Sequence, residues 1–189
     1  MKLSRFVARP ALCAVLIAAS AAIAGGQQAP PMPTPGPEHQ HLKMDAGTWD
    51  ASVELVPGPG MPPMTSKGVE VNTIGCGGMC LITDFKGEMM PGVQFQGHGV
   101  MTWDPARKKY VGSWTDSLSQ GLALTETTWD AAKKQAAGSM EGPDMTGRVV
   151  KSRSVVQYGE AGSRVMTAYA PGPDGKEMQV MRITYTRRK

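Results

Sequence analysis

Three histidines, one close pair of cysteines and a handful of carboxylates are the residues of this 189-residue chain that are equipped for chemistry. His98 stands between glycines in the run Phe95-Gln96-Gly97-His98-Gly99-Val100-Met101-Thr102-Trp103. Read as a strand, the run puts Phe95, Gly97, Gly99, Met101 and Trp103 on one face and His98, Val100 and Thr102 on the other. A His98 facing a barrel interior would offer haem iron an axial nitrogen, and a solvent-facing or core-bonded histidine explains the residue equally well. Asp116 shares a strand face with Trp114 in Ser113-Trp114-Thr115-Asp116-Ser117. A carboxylate beside an indole in a cavity would hold a cation or a hydroxyl, and its plainer role is to cap a turn. His39-Gln40-His41 next to Glu38 is poor preorganisation for a metal, so His39 is expected to fix an N-terminal turn and no metal site is assigned.

Catalytic motifs are missing from the sequence. There is no Gly-x-Ser-x-Gly turn, no His-Glu-x-x-His helix and no phosphate-cradling glycine loop. Asp84, Glu88, Asp116, Glu126 and Asp144 would have to converge in space to act as an acid–base pair, so no residue is given a catalytic role. Thioethers favour Cu(I), but the 14 methionines are scattered and lack clustered repeats with histidine, which suits soft core filling.

Cys76 and Cys80 enclose Gly77-Gly78-Met79. In an oxidising compartment a disulfide closing this loop is the favoured reading, with the glycines supplying the backbone angles. A straight strand would hold the two residues roughly 13 Å apart and forbid the bond. A redox or metal-binding pair is the weaker alternative, because the spacing is not that of the usual motifs.

The elements that must position these groups start beyond a leader. Lys2, Arg5 and Arg9 precede an apolar run from Ala11 to Ile23 and a small-residue site at Ala22-Ile23-Ala24, so residues 1–24 read as a signal peptide. The run is shorter than the roughly 20 residues of a membrane span, so export to the periplasm or beyond is expected and no integral span remains after cleavage. Cys13 precedes most of the run, which argues against lipidation. Three of the 20 basic residues leave with the leader and none of the 16 acidic ones, so 17 minus 16 gives +1. That balance leaves no basic stripe for nucleic acid.

Residues 25–37 carry Pro30, Pro31, Pro33, Pro35 and Pro37 and form a Pro-rich, poorly ordered lead-in to a single domain over 38–189. Glu38 to Met44 is expected to make one or two helical turns, with Leu42 and Met44 plugging a barrel end. Strand-like alternation then recurs, for example in Ala51–Leu55, Val69–Ile74 and Gln179–Tyr185. Turn residues fall at intervals that fit about eight to ten short strands joined as neighbours. Trp103-Asp104-Pro105-Ala106-Arg107-Lys108-Lys109 and Trp129-Asp130-Ala131-Ala132-Lys133-Lys134 are near copies, each expected to be a hairpin opened by its Asp. The fold class is therefore all-β, a single antiparallel up-and-down β-barrel with a short N-terminal helical turn.

Gly47-Thr48-Trp49 near the start and Tyr185-Thr186-Arg187-Arg188 at the end resemble the closing device of lipocalin-like (calycin) barrels. The resemblance implies that the Arg187 guanidinium lies across the Trp49 indole and ties the first strand to the last; the plainer alternative is an ordinary core tryptophan.

A longer series of pieces resembles one family. It runs through Pro37-Glu38-His39 with Leu42, Gly47-Thr48-Trp49-Asp50, Pro57-Gly58, Ser66-Lys67-Gly68, Asp84-Phe85-Lys86-Gly87-Glu88, Phe95-x-Gly97-x-Gly99 and Trp103-Asp104. It continues in Trp114-x-Asp116-Ser117, Gly172-Pro173-Asp174-Gly175-Lys176-Glu177 and Ile183-Thr184-Tyr185-Thr186-Arg187. In this order they are similar to the secreted bacterial domain-of-unknown-function family 1579, over about Pro35 to Lys189. The resemblance implies a lipocalin or nitrobindin type of barrel and brings no established activity. Cys76 and Cys80 depart from the pattern, where apolar residues are expected.

These readings converge on an exported barrel that binds a small, partly apolar molecule without transforming it. Phe85, Phe95, Trp103, Trp114 and Trp129 are the expected lining, with His98 and Asp116 as polar anchors; no cofactor is expected unless His98 holds haem. Two other classes stay open. One is a structural or partner-binding envelope protein with a filled barrel; the other is an enzyme acting on a lipid or sugar. An open cavity with a buried polar group favours binding, a packed core with an apolar outer patch favours a partner, and converging carboxylates favour an enzyme.

Overall fold

A period-two pattern of inward and outward residues, interrupted by turns, builds ten strands among the described residues. The computed structural model describes residues 32–189 apart from 91 and 161. The expected signal peptide and the lead-in before residue 32 lie outside the described residues. The folded unit, Thr34–Lys189, opens with α1 (His39–Asp45), followed by β1 (Gly47–Leu55), β2 (Met64–Gly75), β3 (Cys80–Met90), β4 (Val93–Asp104) and β5 (Lys109–Asp116). Then come β6 (Ala123–Asp130), β7 (Gln135–Pro143), β8 (Val149–Tyr158), β9 (Ser163–Pro171) and β10 (Glu177–Arg187).

Each strand pairs antiparallel with the next, and β1 pairs with β10 from Trp49↔Arg187 to Leu55↔Met181, closing the barrel. Closure satisfies every strand's ladder and leaves no sheet edge. On β1 the pattern is plain: Trp49, Ala51 and Val53 are buried while Asp50 and Ser52 between them are exposed.

The two near-copy turns join β4 to β5 and β6 to β7. Asp104 Oδ1 accepts from the amides of Ala106 (2.9 Å) and Arg107 (3.1 Å), and Asp130 Oδ1 accepts from Lys133 (3.1 Å). Lys108 and Lys134 close the turns in the left-handed region, at φ 52° and 49°. Between β2 and β3, Cys76, Gly77 and Gly78 all have positive φ, and this tight turn brings the two cysteines into a disulfide with Cα atoms 5.4 Å apart.

Inside β4, glycine is required by its neighbour. A Cβ on Gly97 would run into the six-membered ring of Trp114, and one on Gly99 would lie 2.9 Å from Trp114 Cε3. The indole therefore lies against bare backbone, which only glycine allows.

Helix α1 covers the barrel end at which β1, β3 and β5 begin. Leu42 is 1% exposed and packs with Leu81 and Tyr110, and the Tyr110 hydroxyl donates to the Glu38 carbonyl at 2.8 Å. His39 Nδ1 accepts the Gly36 amide at 2.9 Å and fixes the chain's entry to the helix. Met44 does not join Leu42 as a plug; it is exposed. Residues two apart on a helix lie about 200° apart around its axis, so His41, adjacent to Leu42, shares the inward face instead. The remaining core, built on Trp49, Val53, Phe85, Phe95 and Ile183, runs along the wall formed by β1, β3, β4 and β10.

Candidate ligand cavity

The barrel is not filled. A cavity of about 480 Å³ runs from a polar floor above α1 toward the end that carries the β5–β6 and β7–β8 connections. Its apolar wall comes from Phe85, Phe95, Trp114, Met166, Met181 and Ile183. The opposite wall is softened by inward hydroxyls of Thr125, Thr127, Ser152 and Ser154.

Phe85 and Phe95 meet edge to face at 5.7 Å between ring centroids. Asp116 makes the turn cap that its sequence context suggests, and it borders the cavity. Its Oδ2 accepts from Trp114 Nε1 (3.0 Å) and Ser119 Oγ (3.0 Å), and its Oδ1 accepts from the amides of Leu118 (2.9 Å) and Ser119 (2.8 Å). It thus caps the turn after β5 while bordering the cavity beside the indole.

Three expected lining residues are elsewhere. Trp103 and Trp129 lie on the inward face but at the helix end, packed against the cluster of Leu42, Leu81 and Tyr110; Trp129 stacks on His41 at 4.2 Å. His98 is on the outside of β4, half-exposed, with Nδ1 2.9 Å from Asp84 Oδ1. The inward position is taken by Gly97 and Gly99, whose missing side chains make room for Trp114, so His98 offers no ligand to a haem in the barrel. Among the described residues, no cluster of three His, Cys, Asp or Glu side chains is placed to hold a metal ion.

At the closure, the Arg187 guanidinium lies 4.2 Å from the Trp49 ring centroid and donates to the carbonyls of Ala46 and Met44. It thereby satisfies carbonyls that the end of α1 leaves without partners. Gly47, with φ 124°, leaves the guanidinium its place, since a Cβ there would sit 2.6 Å from Nη1.

The floor is the part that sequence reasoning missed. Arg164, on β9, is 6% exposed and donates through Nη1 to Asp45 and through Nη2 to Glu70. Its guanidinium also lies 4.3 Å from the Trp49 ring centroid and 4.5 Å from that of Tyr185. Asp45 takes a further bond from the Tyr158 hydroxyl (2.8 Å), and Glu70 one from Asn72 Nδ2 (2.6 Å). Burial works against the Arg164 charge, but the two carboxylates outweigh it and hold its pKa above the ordinary value. Burial, then Asp45 beside Tyr158 and Glu70 beside Tyr185, push both phenols up, so both stay neutral, Tyr158 as a donor to Asp45. Burial pushes the His41 imidazole down, against the pull of Asp45. His41 Nδ1, Asn72 Oδ1 and Arg164 Nε are buried without hydrogen-bond partners among the described residues.

A signal for this floor does exist in the sequence: Val69-Glu70-Val71-Asn72 alternates. Hydropathy turns the valines inward; in the fold Glu70 and Asn72 are buried and Val71 is 42% exposed.

The fold and its interior define a closed ten-stranded antiparallel barrel with a ligand-sized cavity above a buried ionic floor. The sequence matches the family model for DUF1579, proteins of unknown function, over residues 34–187, and the chain belongs to that family. No curated protein matches it. Among solved structures, the crystal structure of Rv2717c from M. tuberculosis is similar, with a TM-score of 0.64 and 10% sequence identity, covering 82% of this chain and 99% of that one. At that identity the likeness is one of fold. Among the described residues no helix is long and apolar enough to cross a membrane.

Proposed function

We propose that this protein is an exported carrier that binds one small, largely apolar molecule inside its barrel and does not transform it. The observation that supports this reading is the cavity of about 480 Å³, walled by aromatic and thioether side chains over a polar floor. Its size falls within the range of roughly 300–1,000 Å³ typical of small-molecule sites. Burying about 300 Å² of apolar ligand surface contributes about 7.5 kcal/mol before the costs of association. Export is supported by the leader-like residues 1–24 together with the Cys76–Cys80 disulfide, a bond that persists in oxidising compartments.

The test is a titration with a neutral apolar fluorophore, N-phenyl-1-naphthylamine, against the wild-type chain and the variant Ala168→Trp, which fills the cavity from β9. Saturable one-to-one binding that weakens at least about tenfold in a variant with a retained unfolding midpoint is the expected result. No saturable binding to the wild type would overturn the reading. Native mass spectrometry of protein from its own source complements this, since a retained mass identifies the natural occupant, and a chain starting at residue 25 identifies the cleavage.

One observation favours a second reading, a partner-binding envelope protein. Leu122, Leu124, Met145 and Val149 are exposed around the β5–β6 and β7–β8 connections. Apolar side chains gathered there suit a macromolecular contact.

A further inference from the structure

The charges that border the cavity bear on which head group an occupant can carry. Among the described lining residues the charged side chains, histidine aside, are Asp45, Glu70, Asp116 and Arg164. Three carboxylates against one guanidinium leave a formal surplus of two negative charges. The charge of the guanidinium is already matched, since Nη1 serves Asp45, Nη2 serves Glu70 and two aromatic rings lie against it, which leaves only the Nε hydrogen without a partner among the described residues. An acid entering this barrel would therefore find no free cation and would have to displace a buried ion pair, which is strongly unfavourable.

Asp116 is placed differently from the other two carboxylates. Its four hydrogen bonds come from an indole, a hydroxyl and two amides, all neutral, so no cation among the described residues offsets its charge. The indole that donates to it borders the cavity, as do Phe85 and Phe95. A carboxylate joined to aromatic faces is the combination that recognises amines and quaternary ammonium groups, through charge on one side and ring quadrupoles on the other.

We infer that the barrel selects amphipathic molecules with a cationic head, an amine or ammonium seated by Trp114 and Asp116 with its apolar tail between Phe85, Phe95 and Met166, and rejects fatty-acid-like anions. This inference rests on the carrier reading above, and it narrows the occupant to a charge class.

The experiment uses three ligands with one tail, dodecyltrimethylammonium, dodecanol and dodecanoate, the two ions below their micelle concentrations and the alcohol below its solubility limit, competing for bound N-phenyl-1-naphthylamine. The expected order is ammonium tightest, alcohol between and carboxylate weakest, with at least about a tenfold gap between the two ions, or 1.4 kcal/mol. Asp116→Asn, which keeps the size of the side chain, is expected to weaken the ammonium about fivefold or more while leaving the alcohol unchanged. A carboxylate that competes as well as the ammonium overturns the inference and leaves the carrier reading intact. If the fluorophore itself does not bind, both fall together. An Asn variant that loses the alcohol equally reports a damaged turn, and the wild-type order of the two ions then decides alone.

Discussion

Arg164 shows how a single residue organises the interior. A buried ion pair need not add net stability over a well-packed apolar replacement, but removing one member strands its partners at several kcal/mol. Its value here is positional: it fastens α1 through Asp45 to β2 through Glu70, and with them the neutral phenols of Tyr158 and Tyr185. His41, on the same floor, makes the stability sensitive to acid. Its pKa in the fold lies below the ordinary 6.5, so the unfolded chain binds more protons in the interval between the two values. The stabilisation is present above pH 6.5 and is lost as pH falls toward the folded value. The urea midpoint is expected to drop between about pH 7.5 and pH 5.5, and to drop less in His41→Asn, the comparison that isolates this group. The sequence placed Phe85, Phe95, Trp114 and Asp116 on faces that do border the cavity. It could not show Arg164, because an isolated arginine in Ser163-Arg164-Val165-Met166 carries no sign of two carboxylates that lie over 90 residues away in the chain.

Among the elements, the β4–β5 pair sets the shape of the cavity. Trp114 occupies space that Gly97 and Gly99 leave open, so adding a single methyl group there should press the indole into the cavity. Gly97→Ala is expected to cost about 1–3 kcal/mol in urea unfolding and to alter the near-ultraviolet circular dichroism of the folded state. An unchanged spectrum would mean that the ring is not held by this contact. The structure has ten strands among the described residues; a meander of about eight to ten strands, the hairpins opened by Asp104 and Asp130, and the helical turn before β1 were all readable from local pattern and turn chemistry. The facing of two strands was not. Hydropathy reads β2 with its valines inward, yet Glu70 and Asn72 point in because the floor supplies partners for them. A histidine between glycines looks poised for a cavity, yet His98 points out because the glycines themselves make the inward surface. In both cases a long-range contact decides the register, and local alternation only reports that a strand exists.

At the scale of the whole molecule, closure is what converts a curved sheet into a container. Trp49 receives Arg187 at one end of the β1–β10 seam and Arg164 from β9, so three strands meet on one ring. Arg187→Ala removes a cation–π contact and two bonds to the end of α1, and is expected to lower stability by about 2 kcal/mol with an unchanged dependence on urea concentration. A reduced urea dependence would instead mean that the seam opens separately from the rest of the barrel. The seam also bears on how the chain reaches its fold. Residues 49 and 187 must find each other across nearly the full length of the domain, and this pairing has no local surrogate. Topologies dominated by such distant contacts fold slowly, in milliseconds to seconds, because loop-closure entropy is lost before the contacts that reward it are made. Until β10 arrives, β1 and β9 present unpaired backbone edges to any neighbouring chain. A nascent or truncated chain that stops short of Glu177 therefore has two adhesive edges and no means of masking them, so the last eleven-residue strand guards the protein against its own aggregation.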